Sequence, residues 1–256
     1  MSLYFIGIGL SDEKDISIKG FEALKKCSKI YLESYTSLLQ VTKEKLEEFY
    51  EKEIIEASRD LVEKEAEYTI LKDAETSDVA FLVIGDVFGA TTHTDLYLRA
   101  REKGINCKII HNTSIINAVG DTGLELYKFG KTTSLPYHTQ NYKPSTAYDV
   151  LKQNKEQGLH TLILLDIKKD EDRLMTINEA ISIMLDIEKQ KQENIFTKDT
   201  MCLGCARIGS DDANIVYATS SKLKDHDFGK ALHCLIVPGN LHFMEEDMLK
   251  IWSKTI

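Results

Sequence analysis

The segment FLVIGDVFGATTHTD, from Phe81 to Asp95, places a glycine and a carboxylate directly after an apolar run. Ligands of α/β proteins collect at the carboxyl ends of strands, and glycine lets the main chain approach them closely. Asp86 is therefore a candidate ligand contact, with Gly85 and Gly89 beside it. The competing explanation is a turn in which Asp86 bonds its own backbone. The residues that follow, Thr92 to Asp95, fit a helix-capping box.

A second glycine pair, Gly7 and Gly9, ends the first strand candidate in the sequence FIGIGLSD. The dinucleotide fingerprint needs a third glycine where Asp12 stands, although Glu33 ends the next strand candidate, as a ribose-binding acid would. Three interpretations of this glycine pair therefore stay open: a simple strand-ending turn, a ligand-binding loop, or the cofactor loop of an NAD-dependent oxidoreductase.

Histidines and cysteines give weaker signals. His93, His111 and His233 adjoin strand ends, where a hydrogen-bonded structural histidine is more common than a catalytic base. Cys202 and Cys205 form a CxxC pair within an apparent strand, where positions three apart face opposite sides. We therefore expect structural cysteines and no metal site, and no catalytic residue is assigned. An odd number of scattered cysteines, five, indicates a reducing compartment and a cytoplasmic protein.

Short aliphatic segments alternate with amphipathic ones in the first half of the chain. Apolar residues recur from Ile18 to Cys27, and a helix from Leu96 to Lys103 is expected to end at Gly104. Alternation of this kind predicts a mostly parallel sheet covered by helices. The strand candidates are Leu3–Ile8, Lys29–Glu33, Glu53–Ala57, Val79–Ile84 and Asn106–His111.

The second half predicts a partly antiparallel sheet. Helices are expected over Ser145–Gln157, before Gly158, and over Thr176–Gln190, which opens with a capping box at Thr176 and Glu179. We place a domain boundary near His111–Ser114, giving α/β domains 1–111 and 112–256. The strand candidates are Thr132–Tyr137, Thr161–Ile167, Met201–Ile208, Ile215–Leu223 and His233–Val237.

Composition excludes some classes of function. The net charge of −9 argues against a broad nucleic-acid surface, because phosphate binding depends on Lys and Arg. The apolar run at the N-terminus, Leu3–Leu10, has eight residues and no basic residue before it. Such a run is neither a signal peptide nor a membrane span, and no membrane association is expected.

Several segments together resemble one family, the diphthine synthases, within the larger tetrapyrrole methylase-like group. The similarity runs in order along nearly the whole chain. Its segments are LYFIGIGL, GDVFGATTHTDL, IIHNTSIINAVGDTGLELYKFGKT, GLHTLILLDIK, CARIGSDD and LHCLIVPGNLH.

The resemblance implies two α/β domains, a homodimer and a cleft between the domains that binds S-adenosylmethionine. The family commonly has proline after the Gly-Asp pair, where this chain has Val87. Proline fixes φ, so we expect a less rigid loop here. The cofactor contacts that the resemblance implies are Leu10, Asp86, Gly89, Ser114, Ile115, Leu165, Ile208 and His233.

The activity implied is repeated methylation of an amine on translation elongation factor 2. That amine belongs to a 3-amino-3-carboxypropyl group on a histidine, and the product is diphthine. Alternatives are the NAD-dependent oxidoreductase, a non-catalytic relative that only binds a partner protein, and a methyltransferase acting on a tetrapyrrole. The sequence leaves open whether a methyl ester is added after the amine is methylated.

Overall fold

A computed structural model describes residues 1–253, with only the backbone of Asp170. The chain divides into two compact units, Met1–Ala118 and Val119–Ile256. This division falls after Ala118, and the domain boundary predicted at residue 111 stays a prediction. No helix within the described part of the chain is long and apolar enough to cross a membrane.

Unit 1 is a five-stranded parallel sheet covered by helices. Its strands are β1 (Ser2–Gly7), β2 (Lys29–Glu33), β3 (Ile55–Ala57), β4 (Val79–Val83) and β5 (Asn106–Ile110). Its helices are α1 (Ile18–Lys26), α2 (Lys43–Tyr50), α3 (Arg59–Glu63), α4 (Ile70–Thr76), α5 (Thr94–Glu102) and α6 (Ile115–Ala118). The strand order is β3-β2-β4-β1-β5, which places the ends of β4, β1 and β5 side by side.

The three central strands, β2, β4 and β1, are buried on both faces, because their alternate residues belong to two separate cores. Leu3 and Phe5 of β1 pack into one core, and Tyr4 and Ile6 pack into the other. A parallel sheet buried on both sides explains the nearly continuous apolar runs from which the strands were predicted. The predicted α/β class is confirmed.

Unit 2 is built on a mixed sheet and a short hairpin. Its strands are β6 (Thr133–Leu135), β7 (Thr161–Leu165), β8 (Ile167–Lys168), β9 (Arg173–Leu174), β10 (Met201–Ala206), β11 (Asn214–Thr219) and β12 (His233–Val237). Its helices are α7 (Thr146–Glu156), α8 (Ile177–Lys191), α9 (Ser220–Asp225) and α10 (Phe243–Ser253). The sheet order is β11-β10-β12-β7-β6, and β8 pairs with β9. Only β6 and β7 run parallel in the larger sheet, so the partly antiparallel pairing is confirmed.

Helix ends show where local sequence decides structure and where it does not. The capping box of α8 is present, with the Thr176 hydroxyl and the Glu179 carboxylate each accepting from the other's backbone N–H. The capping box predicted for Thr92 to Asp95 is wrong. The helix α5 begins at Thr94 after His93, whose side chain makes no capping hydrogen bond, and Asp95 pairs instead with Arg99.

One strand prediction is also wrong at its end. The strand expected over Ile215–Leu223 stops at Thr219, and helix α9 follows. The backbone N–H of Ser220 donates to the carbonyl of Thr200 at 2.8 Å, and its hydroxyl donates to the carbonyl of Thr197 at 2.7 Å. These contacts turn the chain out of the sheet, and no local sequence pattern predicts them.

Candidate active site

Two glycine loops meet at the carboxyl ends of β1 and β4. The backbone N–H of Gly85 donates to the carbonyl of Gly9 at 2.7 Å, and Gly9 returns a bond of 3.3 Å. Both residues have positive φ, at +80° and +84°, a conformation that side chains disfavour. A Cβ at Gly85 would lie at ordinary contact distance, 3.7 Å, from Cδ2 of Leu10 and from the carbonyl oxygen of Thr113. Glycine therefore lets the two loops turn and lie against each other at these strand ends.

Asp86 organises this end of the sheet. Its Oδ2 accepts from the backbone N–H of Asn112 at 3.0 Å and lies 2.9 Å from Nδ1 of His111. Its Oδ1 accepts from the N–H of Phe88 at 3.1 Å, as in an Asx turn. Burial raises the pKa of Asp86, but the bonds from Asn112, Phe88 and His111 outweigh it and hold the pKa below its ordinary value. The carboxylate is therefore ionised at neutral pH, and it ties the loop after β4 to the loop after β5.

Four further hydrogen bonds fix the loop that holds Leu10. The carboxylate of Asp15 accepts the N–H groups of Leu10 at 3.1 Å and Ser11 at 2.7 Å. The side-chain amide of Asn112 donates to the carbonyls of Gly7 and Asp15, both at 2.9 Å. Sequence reasoning missed both residues, because the partners of Asn112 lie at the end of β1 and on the loop after it, and no motif marks the bonds that Asp15 makes within its own loop.

Gly89 lies against the segment that follows β5. A Cβ at Gly89 would stand 2.5 Å from Oγ of Ser114, so only glycine fits there. Ser114 itself is buried, and Ile115 is the first residue of α6. The structure therefore brings together the five predicted cofactor contacts of unit 1, namely Leu10, Asp86, Gly89, Ser114 and Ile115.

Val87 has a structural explanation of its own. Its side chain is fully buried in one core of unit 1, and its carbonyl accepts from the Thr91 hydroxyl at 2.7 Å. Valine therefore anchors the loop by packing, whereas proline would restrict it through its ring.

The predicted contacts of unit 2 lie at one end of its own sheet. Leu165 ends β7, Ile208 follows β10, and His233 begins β12, which pairs with both strands. Nδ1 of His233 accepts from the N–H of Ile177 at 3.4 Å, and its Nε2 lies 3.0 Å from the carbonyl of Lys230. Burial lowers the pKa of His233, so the imidazole is neutral at pH 7. Both ring nitrogens are occupied, which leaves no lone pair for proton transfer.

Glu33 and the CxxC pair, the two other candidate motifs, have structural roles in the fold. Glu33 is completely buried, and its carboxylate accepts the N–H of Tyr35 at 2.8 Å and the hydroxyl of Thr36 at 2.8 Å. This residue caps the turn after β2, so a ribose cannot use it. Cys202 and Cys205 are buried free thiols, and no group of three or more metal-ligating side chains occurs among residues 1–253.

Comparison with known proteins decides the family. The sequence profile of the Tetrapyrrole (Corrin/Porphyrin) Methylases matches residues 2–224. The chain belongs to the tetrapyrrole methylase family. Within this family, it is 49% identical to the diphthine methyl ester synthase of Dictyostelium discoideum, with 96% of each chain covered. The human protein of the same name is 47% identical, with coverage of 98% of this chain and 95% of the relative.

Solved structures agree with this placement. A crystal structure from Entamoeba histolytica, assigned as a diphthine synthase, superposes with a TM-score of 0.91 at 43% identity, covering 98% of both chains. The family resemblance inferred from the sequence is therefore confirmed, and the protein is a methyltransferase of the diphthine synthase group. The individual cofactor contacts stay predictions.

Proposed function

We propose that this protein methylates the amine of the 3-amino-3-carboxypropyl-histidine of elongation factor 2, using S-adenosylmethionine. The observation that carries the proposal is the near-full-length match to relatives named diphthine methyl ester synthase, at 47% to 49% identity. The glycine loops of unit 1 support it, because they lie at the carboxyl ends of β1 and β4, where α/β folds bind their ligands.

The residues proposed to hold the methyl donor are Leu10, Asp86, Gly89, Ser114 and Ile115 of unit 1, with Leu165, Ile208 and His233 of unit 2. When bound, S-adenosylmethionine supplies an electrophilic methyl group. The chain's own task is to align the acceptor amine with that methyl group and to exclude water. Asp86 contributes as a fixed anion and hydrogen-bond acceptor, because its lowered pKa keeps it ionised.

Proton transfer needs no dedicated residue. The amine must be neutral to attack, and after the first and second transfers the product loses a proton before it reacts again. His233 is not proposed as the base, because its Nε2 lies 3.0 Å from the carbonyl of Lys230 and its Nδ1 faces the N–H of Ile177. Solvent is the proposed proton acceptor, so the rate should rise with pH until the acceptor amine is neutral.

The names of the relatives also favour a particular product. They indicate a methyl ester in addition to the methylated amine, and we propose the same product for this chain. Mass spectrometry of the factor after exhaustive reaction tests this step. A final mass that corresponds to three methyl groups would restrict the proposal to the amine, and four would include the ester.

The assembly and the compartment follow from the same proposal. We propose a homodimer, which sedimentation of the purified protein tests, and a cytoplasmic location, where the factor resides. Five free cysteines support a reducing compartment. The non-catalytic alternative predicts binding of elongation factor 2 with no transfer of labelled methyl groups.

A further inference from the structure

A groove of about 370 Å³ lies in unit 2 between the loop after β6, the β8–β9 hairpin and helix α8. The lining residues that the structure describes include two basic side chains, Arg173 and Lys224, and one carboxylate, that of Glu179. The whole chain carries a net charge of −9. A positively charged groove on an acidic protein indicates an anionic ligand.

Arg173 presents its guanidinium group to this groove. The group stacks on the ring of Tyr137, with its central carbon 3.7 Å from the ring centroid. Its Nη2 lies 3.5 Å from Oε1 of Glu179, which is long for a hydrogen bond. The other oxygen of Glu179 already accepts the N–H of Thr176 at 2.9 Å. Most of the guanidinium donors therefore have no partner at hydrogen-bond distance among the described side chains, and their planar fork matches a carboxylate.

Tyr137 adds a second donor that the fold does not use. The residue is only 4% exposed, and its hydroxyl oxygen has no hydrogen-bond partner of acceptable geometry among the described residues. A buried hydroxyl without a partner is uncommon in folded proteins, because it loses its hydrogen bonds to water. A ligand oxygen in the groove would supply the missing partner.

The walls of the groove are bonded to the proposed methyl-donor contacts of unit 2. The carboxylate of Asp166, the residue after Leu165, accepts the N–H of Tyr137 at 3.0 Å. The carbonyl of Asp166 accepts the N–H of Met175, which leads from the hairpin into α8, at 3.0 Å. His233 in turn accepts the N–H of Ile177, the first residue of α8. The groove therefore adjoins the end of the sheet where Leu165 and His233 lie.

We propose that Arg173 and Tyr137 bind the carboxylate of the acceptor's 3-amino-3-carboxypropyl group and so orient its amine. The inference rests on the proposed function for the identity of the acceptor. Both residues are positioning residues, since they hold a part of the acceptor that does not react during amine methylation. Lys224 adds a longer-range attraction for the same anion.

The test measures methyl transfer to elongation factor 2 isolated from cells that lack this methyltransferase activity. Arg173→Ala should lower kcat/KM for the acceptor about tenfold to a hundredfold, as expected for loss of a charged hydrogen bond. Arg173→Lys should recover part of this loss through its charge. Tyr137→Phe keeps the stacked ring and should lower kcat/KM about threefold to tenfold. Because the hydroxyl is unpartnered, this variant should be as stable as the wild type or more stable.

Lys168→Gln is the matched control. Lys168 lies opposite Arg173 in the β8–β9 pairing, and its ammonium group is 5.9 Å from the ring centroid of Tyr137. The Lys168→Gln substitution removes one positive charge from the same hairpin without changing the groove lining. It should therefore change kcat/KM less than threefold. In all four variants calorimetry should give the wild-type affinity for S-adenosylmethionine.

Binding of the factor separates the failure of this inference from failure of the proposed function. The wild type should bind the factor carrying the 3-amino-3-carboxypropyl group more tightly than the unmodified factor, and Arg173→Ala should lose this preference. If the wild type transfers methyl groups but Arg173→Ala keeps its kcat/KM, the carboxylate site is wrong. If the wild type transfers none but shows the preference, only the proposed reaction fails. If the wild type shows neither methyl transfer nor the binding preference, both the carboxylate site and the proposed function are wrong.

Discussion

Replacing Asp86 by alanine should both destabilise unit 1 and weaken binding of the methyl donor. The side chain is 15% exposed and accepts two backbone N–H groups, from Phe88 and Asn112. Hydrogen bonds to a charged group contribute about 1.5 to 3 kcal/mol each, and water replaces part of that at a partly exposed site. The contact with His111, which is 68% exposed, adds about 0 to 1 kcal/mol. We therefore expect a loss of about 2 to 4 kcal/mol of unfolding free energy.

Urea unfolding at pH 7 measures this loss, and Asp95→Ala is its matched control. Asp95 is also paired with a basic residue, Arg99, but it is 69% exposed and accepts no backbone N–H in that contact. Its removal should cost about 1 kcal/mol or less. Calorimetry with S-adenosylmethionine should show about tenfold to a hundredfold weaker binding for Asp86→Ala and no change for the control.

The pH dependence gives an independent check. The pKa of Asp86 in the folded protein is lowered from its ordinary value of 3.8. Its contribution is therefore fully present above pH 3.8 and is lost as the pH falls through the lowered value. The difference in stability between the wild type and Asp86→Ala should shrink from pH 7 to pH 3. Equal stability at pH 7 would refute the organising role, and unchanged donor affinity would leave Asp86 as a turn residue only.

Three further substitutions test other parts of the structure. Glu245→Gln should cost about 3 to 5 kcal/mol in urea unfolding, because this buried carboxylate accepts from His160 and three other donors. The pKa of Glu245 is lowered to about 2, so its contribution to the unfolding free energy should persist down to about pH 4.5 and then decrease. A loss of less than about 1 kcal/mol at pH 7 would contradict this role. His93→Phe should leave stability unchanged at pH 7 and raise it at pH 5, because burial lowers the pKa of the imidazole to about 4 and its nitrogens have no hydrogen-bond partner among the described residues. Lower stability at pH 5 would show that the imidazole has such a partner. Gly89→Ala should cost about 1 to 3 kcal/mol and weaken donor binding, because its Cβ would lie 2.5 Å from Oγ of Ser114; full retention of affinity would show that the loop moves freely.

Much of the fold follows from the periodicity of apolar residues. The central strands of unit 1 were predictable because each buries both faces, and the mixed sheet of unit 2 was predictable from its short strands. The end of β11 was not, because bonds from Ser220 to distant backbone carbonyls decide it. The two-residue strands of the β8–β9 hairpin were missed as well, since so short a pairing leaves no periodic pattern.

The candidate site was predictable only in part. The position of Asp86 after a buried strand indicated a ligand contact, but its bonds to His111 and Asn112 come from a loop after another strand. Arg173 and Tyr137 carry no local motif, and only the folded chain stacks one on the other. Sequence patterns thus locate loops at strand ends, whereas the partners of each side chain depend on tertiary structure.

The most direct test of the account is methyl transfer by the wild-type protein. Purified elongation factor 2 from cells lacking this activity is incubated with the protein and S-adenosylmethionine, and the modified histidine peptide is analysed by mass spectrometry. Successive additions of methyl groups to the 3-amino-3-carboxypropyl group are expected, and none to the unmodified factor. A peptide mass that stays unchanged, with the methyl donor bound and the factor bound, would contradict the proposed function.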